Sequence, residues 1–176
     1  MFLLDRSGSM FGGRIAKAKE SLIFFLKSLP MNSRFNIISF GNSYFPLFNS
    51  FMESSDTNVI KVINIIETFY TDIGGSQSEI ALEYLSHQIP LSSNILTRAV
   101  FITDGLIGYI DKVLKQILQC MKGNIFRFDC LGIGKACSND DLRKISGKEN
   151  DETVFCQDNK ILLKKLCIRK IIKLLY

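Results

Sequence analysis

Residues 1–10 read MFLLDRSGSM, a short apolar run that ends abruptly in a loop of acidic, hydroxyl and glycine residues. An unbroken run of this kind is typical of a strand buried on both faces of a parallel sheet. In the loop, Asp5, Ser7 and Ser9 occupy alternate positions, so an extended backbone would point their side-chain oxygens to one side. The stretch therefore predicts a buried first strand whose carboxyl end carries a cluster of oxygen donors.

The remainder of the chain alternates short apolar runs with longer segments of helical periodicity. The patterns predict strands at residues 2–4, 35–40, 44–48, 99–103, 125–133 and 153–156, and helices at 15–29, 59–69, 76–89, 110–121, 139–145 and 160–175. Pro46 lies inside the third of these strands, which indicates a sheet edge. We therefore expect an α/β fold, a doubly wound, mostly parallel six-stranded sheet with helices on both faces and one antiparallel edge strand.

Length and composition favour a single soluble domain spanning residues 1–176. The chain is 47% hydrophobic and 22% charged, close to globular averages. No apolar run approaches the roughly 18 residues of a membrane span. The net charge is +5, and several of the basic residues cluster at 160–173. We interpret this cluster as the solvated face of an amphipathic helix. Aromatic residues are not interleaved with that charge, which argues against a nucleic-acid partner.

The number and spacing of the cysteines help to predict whether the protein occupies a reducing or an oxidising compartment. The five cysteines form no C-x-x-C pair and are accompanied by one histidine, so a finger-type zinc site lacks ligands. Asp5 and Arg6 follow shortly after Met1, a pattern unlike a signal peptide. We therefore expect a cytoplasmic protein with reduced thiols; the alternative is a secreted protein with structural disulfides.

Oxygen donors also follow two later segments. Asp104 comes directly after the fourth predicted strand, and Ser76 follows a Gly-Gly pair. In doubly wound folds, ligands bind outside the carboxyl ends of the strands, where the strand order reverses. Two carboxylates and three hydroxyls at that edge would form a cage of hard oxygens, which favours Mg²⁺, Mn²⁺ or Ca²⁺. The candidate metal ligands are Asp5, Ser7, Ser9, Ser76 and Asp104.

Each of these motifs alone has an ordinary structural explanation. Serine- and glycine-rich loops after strands often only cap the next helix, and Thr-Asp-Gly is a common end to a strand. The cation site is favoured because the motifs occur together, in order, with Gly-Gly-Ser between the two acidic loops.

Three motifs, DRSGSM at 5–10, GGS at 74–76 and ITDG at 102–105, resemble the metal-ion-dependent adhesion site (MIDAS) of von Willebrand factor type A (VWA) domains. Residues 34–41 and 128–134 support the resemblance, which is strongest to the inter-alpha-trypsin-inhibitor heavy chains and the type-5 VWA proteins. It implies the Rossmann-like VWA fold and a cation that captures a carboxylate from a partner protein. By the same resemblance, Ser7 and Ser9 ligate the cation, and Asp5 and Asp104 bind it directly or through water.

The sequence departs from the family at two places. Ser76 stands where the family usually has threonine, which keeps the hydroxyl and loses the β-branch that restricts its rotamer. The family's first strand begins a few residues earlier, and in this subgroup a separate domain precedes it. The abrupt start at Met1 leaves two interpretations open, a fragment with a truncated first strand or a reduced version of the domain.

The alternative function is a nucleotide-binding or hydrolytic α/β enzyme. Residues 132–137, GIGKAC, begin like a dinucleotide fingerprint but lack its third glycine and follow a late strand. No G-x-S-x-G elbow surrounds Ser7 or Ser9. His87 falls late in a predicted helix, where we expect it on the surface. We therefore predict a non-enzymatic, cation-dependent protein-binding module.

Overall fold

Strands and helices alternate through residues 1–89, 95–105, 109–121, 126–134 and 153–156, which the computed structural model describes. The strands are β1 (Phe2–Asp5), β2 (Arg34–Phe35), β3 (Ile37–Phe40), β4 (Tyr44–Pro46), β5 (Met52–Glu53), β6 (Thr97–Thr103), β7 (Phe126–Ile133) and β8 (Thr153–Cys156). The helices are α1 (Gly13–Lys27), α2 (Asp56–Glu67), α3 (Ser78–Gln88) and α4 (Ile110–Met121). None of these helices is long and apolar enough to cross a bilayer. The predicted helices at 139–145 and 160–175 lie outside the described residues.

The main sheet has six strands in the order β4-β3-β1-β6-β7-β8. Every neighbouring pair is parallel except β3 and β4, which are antiparallel, with Ile38 opposite Pro46. The predicted sheet is confirmed, including the antiparallel edge strand that contains the proline. From β1 the chain first continues to β3 on one side and later returns to β6 on the other, so the strand order reverses between β1 and β6. This reversal opens the crevice in which doubly wound folds bind ligands.

Both faces of the sheet are covered, because successive strand residues point to opposite sides. In β1, Phe2 and Leu4 pack with α1 and α2, whereas Leu3 packs with α3 and α4. The neighbouring strand β6 repeats this alternation, with Val100 on the first face and Phe101 on the second. The near-continuous apolar runs of the sequence are thus explained by burial on two sides.

The segment predicted as one strand at 35–40 is two strands, and this part of the prediction was wrong. Asn36 separates them because its side chain takes over local hydrogen bonds: its Oδ1 accepts from the backbone N–H of Ile37 at 2.8 Å, and its Nδ2 donates to the carbonyl of Phe48 at 2.8 Å. On the amino side of Asn36, β2 pairs with β5 in a separate two-stranded sheet. Strands of two residues carry no readable periodicity, so β5 was not predicted.

Two of the cysteines lie in the core on one face of the sheet. Cys120 of α4 and Cys130 of β7 are both buried in the cluster that α3 and α4 form over the sheet. Burial raises the pKa of the Cys120 thiol to about 11, which keeps it protonated at neutral pH. Both side chains therefore behave as small apolar core residues.

Candidate metal centre

Asp5 ends β1, and its buried carboxylate links two neighbouring strands. The backbone N–H of Ser7 donates to Oδ1 at 2.9 Å, and the hydroxyl of Thr103 donates to Oδ2 at 2.7 Å. The same hydroxyl accepts from the backbone N–H of Gly105 at 3.2 Å. Asp5 therefore fixes the first loop and the loop after β6 relative to each other at the strand-order reversal.

Ser7 and Ser9 bring their hydroxyl oxygens to 3.0 Å from each other. The alternation of donors predicts an extended loop here, but the chain instead folds into a 3₁₀ turn at Gly8–Met10. The turn buries Met10 completely beneath α1, and that anchor explains why the loop cannot continue extended. The two serine hydroxyls meet on the turn rather than along a strand, yet they share one side, as the alternation predicts.

Asp104 lies one residue beyond β6 and is 2% exposed. Nη1 of Arg14, in the first turn of α1, donates to its Oδ2 at 3.1 Å. Burial raises the pKa of Asp5, and the nearby Asp104 carboxylate adds to the effect, whereas the hydrogen bonds from Ser7 and Thr103 oppose it. Two carboxylates thus share a buried space in which a cation would offset the cost of charge.

The raised pKa of Asp5 gives the protein a distinct pH dependence when a chelator is present. Because the folded state holds this proton more tightly than the unfolded state, the free energy of unfolding should fall as pH rises from about 4 through the folded pKa. Asp5→Asn removes the titrating group. We therefore expect the stability advantage of Asp5→Asn over the wild type, measured by urea unfolding with EDTA, to grow across this window. A constant difference would contradict the raised pKa.

The loop that carries Ser76 is held by backbone hydrogen bonds to the first loop and to the residue that follows β3. The N–H of Ile73 donates to the carbonyl of Arg6 at 3.4 Å, and the N–H of Gln77 donates to the carbonyl of Gly41 at 2.8 Å. Ser76 itself is half-buried and precedes α3 by two residues. The residue at the N-cap of α3 is Gln77, whose side chain makes no capping bond.

Arg6 fastens the first loop from its other side, a role that the sequence did not reveal. Its Nε donates to the carbonyl of Tyr70 at 2.9 Å, and its Nη2 pairs with Asp72 at 2.5 Å. The guanidinium also lies 4.3 Å from the centre of the Phe69 ring. Arg6 therefore ties the serine loop to the segment after α2 and limits its movement.

Sequence reasoning also missed Thr103 and Arg14. The signal for Thr103 was available, because a polar residue ends an otherwise apolar strand beside Asp104. The signal for Arg14 was weaker: a cation in the first turn of a helix opposes the helix dipole and calls for a compensating anion. Neither contact could be assigned without knowing that β1, β6 and α1 meet at this edge.

The donors that converge here fit a hard divalent cation. Among the described residues, no three side chains of the His, Cys, Asp and Glu types come together, so a cation would depend on hydroxyl oxygens as well as carboxylates. Octahedral Mg²⁺ with bonds of about 2.0–2.1 Å places adjacent ligands about 2.9 Å apart. The hydroxyls of Ser7 and Ser9 are hydrogen-bonded to each other at 3.0 Å, a separation at which both oxygens could bind one cation. In the pentagonal-bipyramidal geometry of Ca²⁺, with bonds of about 2.3–2.6 Å, adjacent equatorial ligands lie about 2.7–3.1 Å apart, so the spacing fits either ion.

The sheet order, with its reversal between β1 and β6, defines a doubly wound α/β domain. A family model described as von Willebrand factor type A domain matches residues 1–150, and the chain belongs to that family. It is 31% identical over 156 residues to von Willebrand factor A domain-containing protein 5A of Rattus norvegicus, an alignment that covers 83% of this chain and 18% of that protein. The predicted family and its type-5 subgroup are confirmed, while the extent of the domain to residue 176 stays a prediction.

Solved structures of the family share the fold at low sequence identity. A von Willebrand factor type A protein from Catenulispora acidiphila has a TM-score of 0.82 at 17% identity, covering 97% of this chain and 41% of that one. Proximal thread matrix protein 1 from the mussel byssus, solved with a zinc-occupied MIDAS motif, has a TM-score of 0.70 at 12% identity, covering 97% of this chain and 44% of that one. These likenesses show the fold, and the chain spans between a tenth and a fifth of the length of the curated relatives it matches.

Proposed function

We propose that the chain is a protein-binding module that uses a divalent cation to capture a carboxylate of its partner. The observation that carries the proposal is that the Ser7 and Ser9 hydroxyls lie together with the buried acids Asp5 and Asp104. A hard dication with few anionic ligands keeps part of its charge and attracts a further acid.

The surface around the site supports a protein partner. Phe11, in the segment that carries the two serines, is 79% exposed. Tyr70, whose carbonyl accepts from Arg6, is 64% exposed. Large exposed apolar side chains beside a polar centre are typical of protein interfaces, where aromatic residues contribute much of the affinity. We propose that the partner supplies an acidic residue flanked by apolar side chains.

The first test is calorimetric titration of chelator-treated protein with MgCl₂, MnCl₂, CaCl₂ and ZnCl₂, the last because zinc occupies the mussel protein's motif. We expect one site that binds a hard divalent cation, and the order of the four affinities identifies the preferred ion. A display library of peptides that each contain one Asp or Glu then tests the partner. Capture should require the cation and should be lost in Asp104→Asn; capture that persists in EDTA would overturn the proposal.

Ser76 provides a residue-level test of the same site. Ser76→Ala should weaken Mg²⁺ binding about tenfold if its hydroxyl contributes to the centre. Ser76→Thr should bind equally or more tightly, because the β-branch restricts the hydroxyl to fewer rotamers. Ser86→Ala, at a hydroxyl that bonds the Glu83 carbonyl within α3, is the matched control. An unchanged affinity in Ser76→Ala would remove Ser76 from the ligand set.

We propose no catalytic activity for this site. His87 is exposed in the last turn of α3, about 13 Å along the helix from its first residue at 1.5 Å per residue. Gly132 lies inside β7 rather than in a phosphate-binding turn, and Gly134 faces the side chain of Arg14. Turnover of esters or nucleotides by the purified chain would favour the enzymatic alternative.

A further inference from the structure

Arg14 extends from the first turn of α1 across the edge of the sheet into the candidate metal centre. Its Nη1 donates to the carbonyl of Ser9 at 2.7 Å and to Oδ2 of Asp104 at 3.1 Å. The side chain passes Gly134 at the end of β7, where a Cβ would lie 3.4 Å from its Nε. That is an ordinary van der Waals distance, so the arginine lies against the end of β7 while it bonds the first loop and the loop after β6.

The placement of Arg14 works against its own helix. A positive charge near a helix N-terminus is unfavourable, because it lies at the positive end of the helix dipole. The first turn of α1 contains no acidic residue that would compensate it. The compensation comes from Asp104, whose side chain is 3% exposed. A local conflict resolved only by a long-range contact is expected at functional positions.

We infer that Arg14 is a built-in competitor for the divalent cation, a tethered positive charge that neutralises Asp104 and lowers the cation affinity of the site. The inference rests on the proposed function. A cation that takes up Asp104 must either displace the guanidinium or bind beside it, and like charges at such distances repel. In both cases the affinity for the cation is lower than the oxygen donors alone would give.

The test compares Mg²⁺ and Mn²⁺ affinity, by calorimetry on chelator-treated protein, among the wild type, Arg14→Ala and Arg14→Lys. Arg14→Ala should bind Mg²⁺ about tenfold more tightly, because a hydrogen bond to a charged group contributes on that order to an equilibrium. Arg14→Lys keeps the charge and should fall between the two. The control is Arg34→Ala, which removes the same charge from an exposed position and should change the affinity less than about twofold.

A second readout does not depend on cation titration. In EDTA, Arg14→Ala should melt below the wild type, because Asp104 loses its arginine, and saturating Mg²⁺ should raise its melting temperature more than that of the wild type. Equal or weaker cation binding by Arg14→Ala, with normal binding by the wild type, would overturn the inference alone. Absence of cation binding in the wild type and in both Arg14 variants would overturn the proposed function and the inference with it.

Discussion

Replacing Asp5 by asparagine is expected to lower the affinity for Mg²⁺ by on the order of 100-fold or more while leaving the fold intact. The amide can keep both local contacts, accepting from the N–H of Ser7 through its oxygen and donating to the hydroxyl of Thr103 through its nitrogen. What it cannot supply is the buried negative charge that a dication needs. Calorimetry gives the affinity, and circular dichroism with thermal melting in EDTA shows whether the domain remains folded.

Asp56→Asn is the matched control, because it makes the same chemical change at an exposed residue at the start of α2. It should bind Mg²⁺ as the wild type does. In EDTA the Asp5→Asn protein should melt above the wild type, since it no longer buries a carboxylate beside Asp104. Undiminished Mg²⁺ binding by Asp5→Asn would show that the cation binds at another place on the protein.

The sheet was predictable because its information is local. The apolar runs that become β1, β6 and β7 are each followed by polar or glycine residues, and the helical periodicity between them is clear. Parallel pairing then brings Asp5 and Asp104 to the same edge without any knowledge of side-chain contacts. This is why the site could be proposed from three short motifs that are far apart in the chain.

The parts that escaped prediction depend on contacts between distant segments. The division of the 35–40 strand arises from hydrogen bonds between Asn36 and Phe48. Arg14 acts across 90 residues to Asp104, and Thr103 across 98 to Asp5. Such interactions leave little trace in the sequence because the residue type alone does not specify the partner. The elements could be predicted, whereas the polar contacts that position them could not.

Gly41→Ala is expected to destabilise the domain by about 3 kcal/mol, a loss of roughly 6–12 °C in melting temperature for a chain of this size. Gly41 follows β3 directly, and a Cβ there would lie 1.8 Å from the carbonyl oxygen of Ile73 and 2.4 Å from that of Gly74. Both obstacles are backbone, so no side-chain rotation relieves them. The loop must move, which breaks the hydrogen bond from the N–H of Gln77 to the Gly41 carbonyl.

The same displacement would move the loop that carries Ser76 relative to the first loop. Gly41→Ala should therefore also weaken Mg²⁺ binding under conditions in which the variant is folded. Gly13→Ala is the matched control: it lies at the start of α1, where an added methyl group would have nothing within 4 Å, and alanine favours a helix. It should leave the melting temperature unchanged or raise it. Wild-type stability in Gly41→Ala would mean that the loop at 73–77 does not lie against the end of β3.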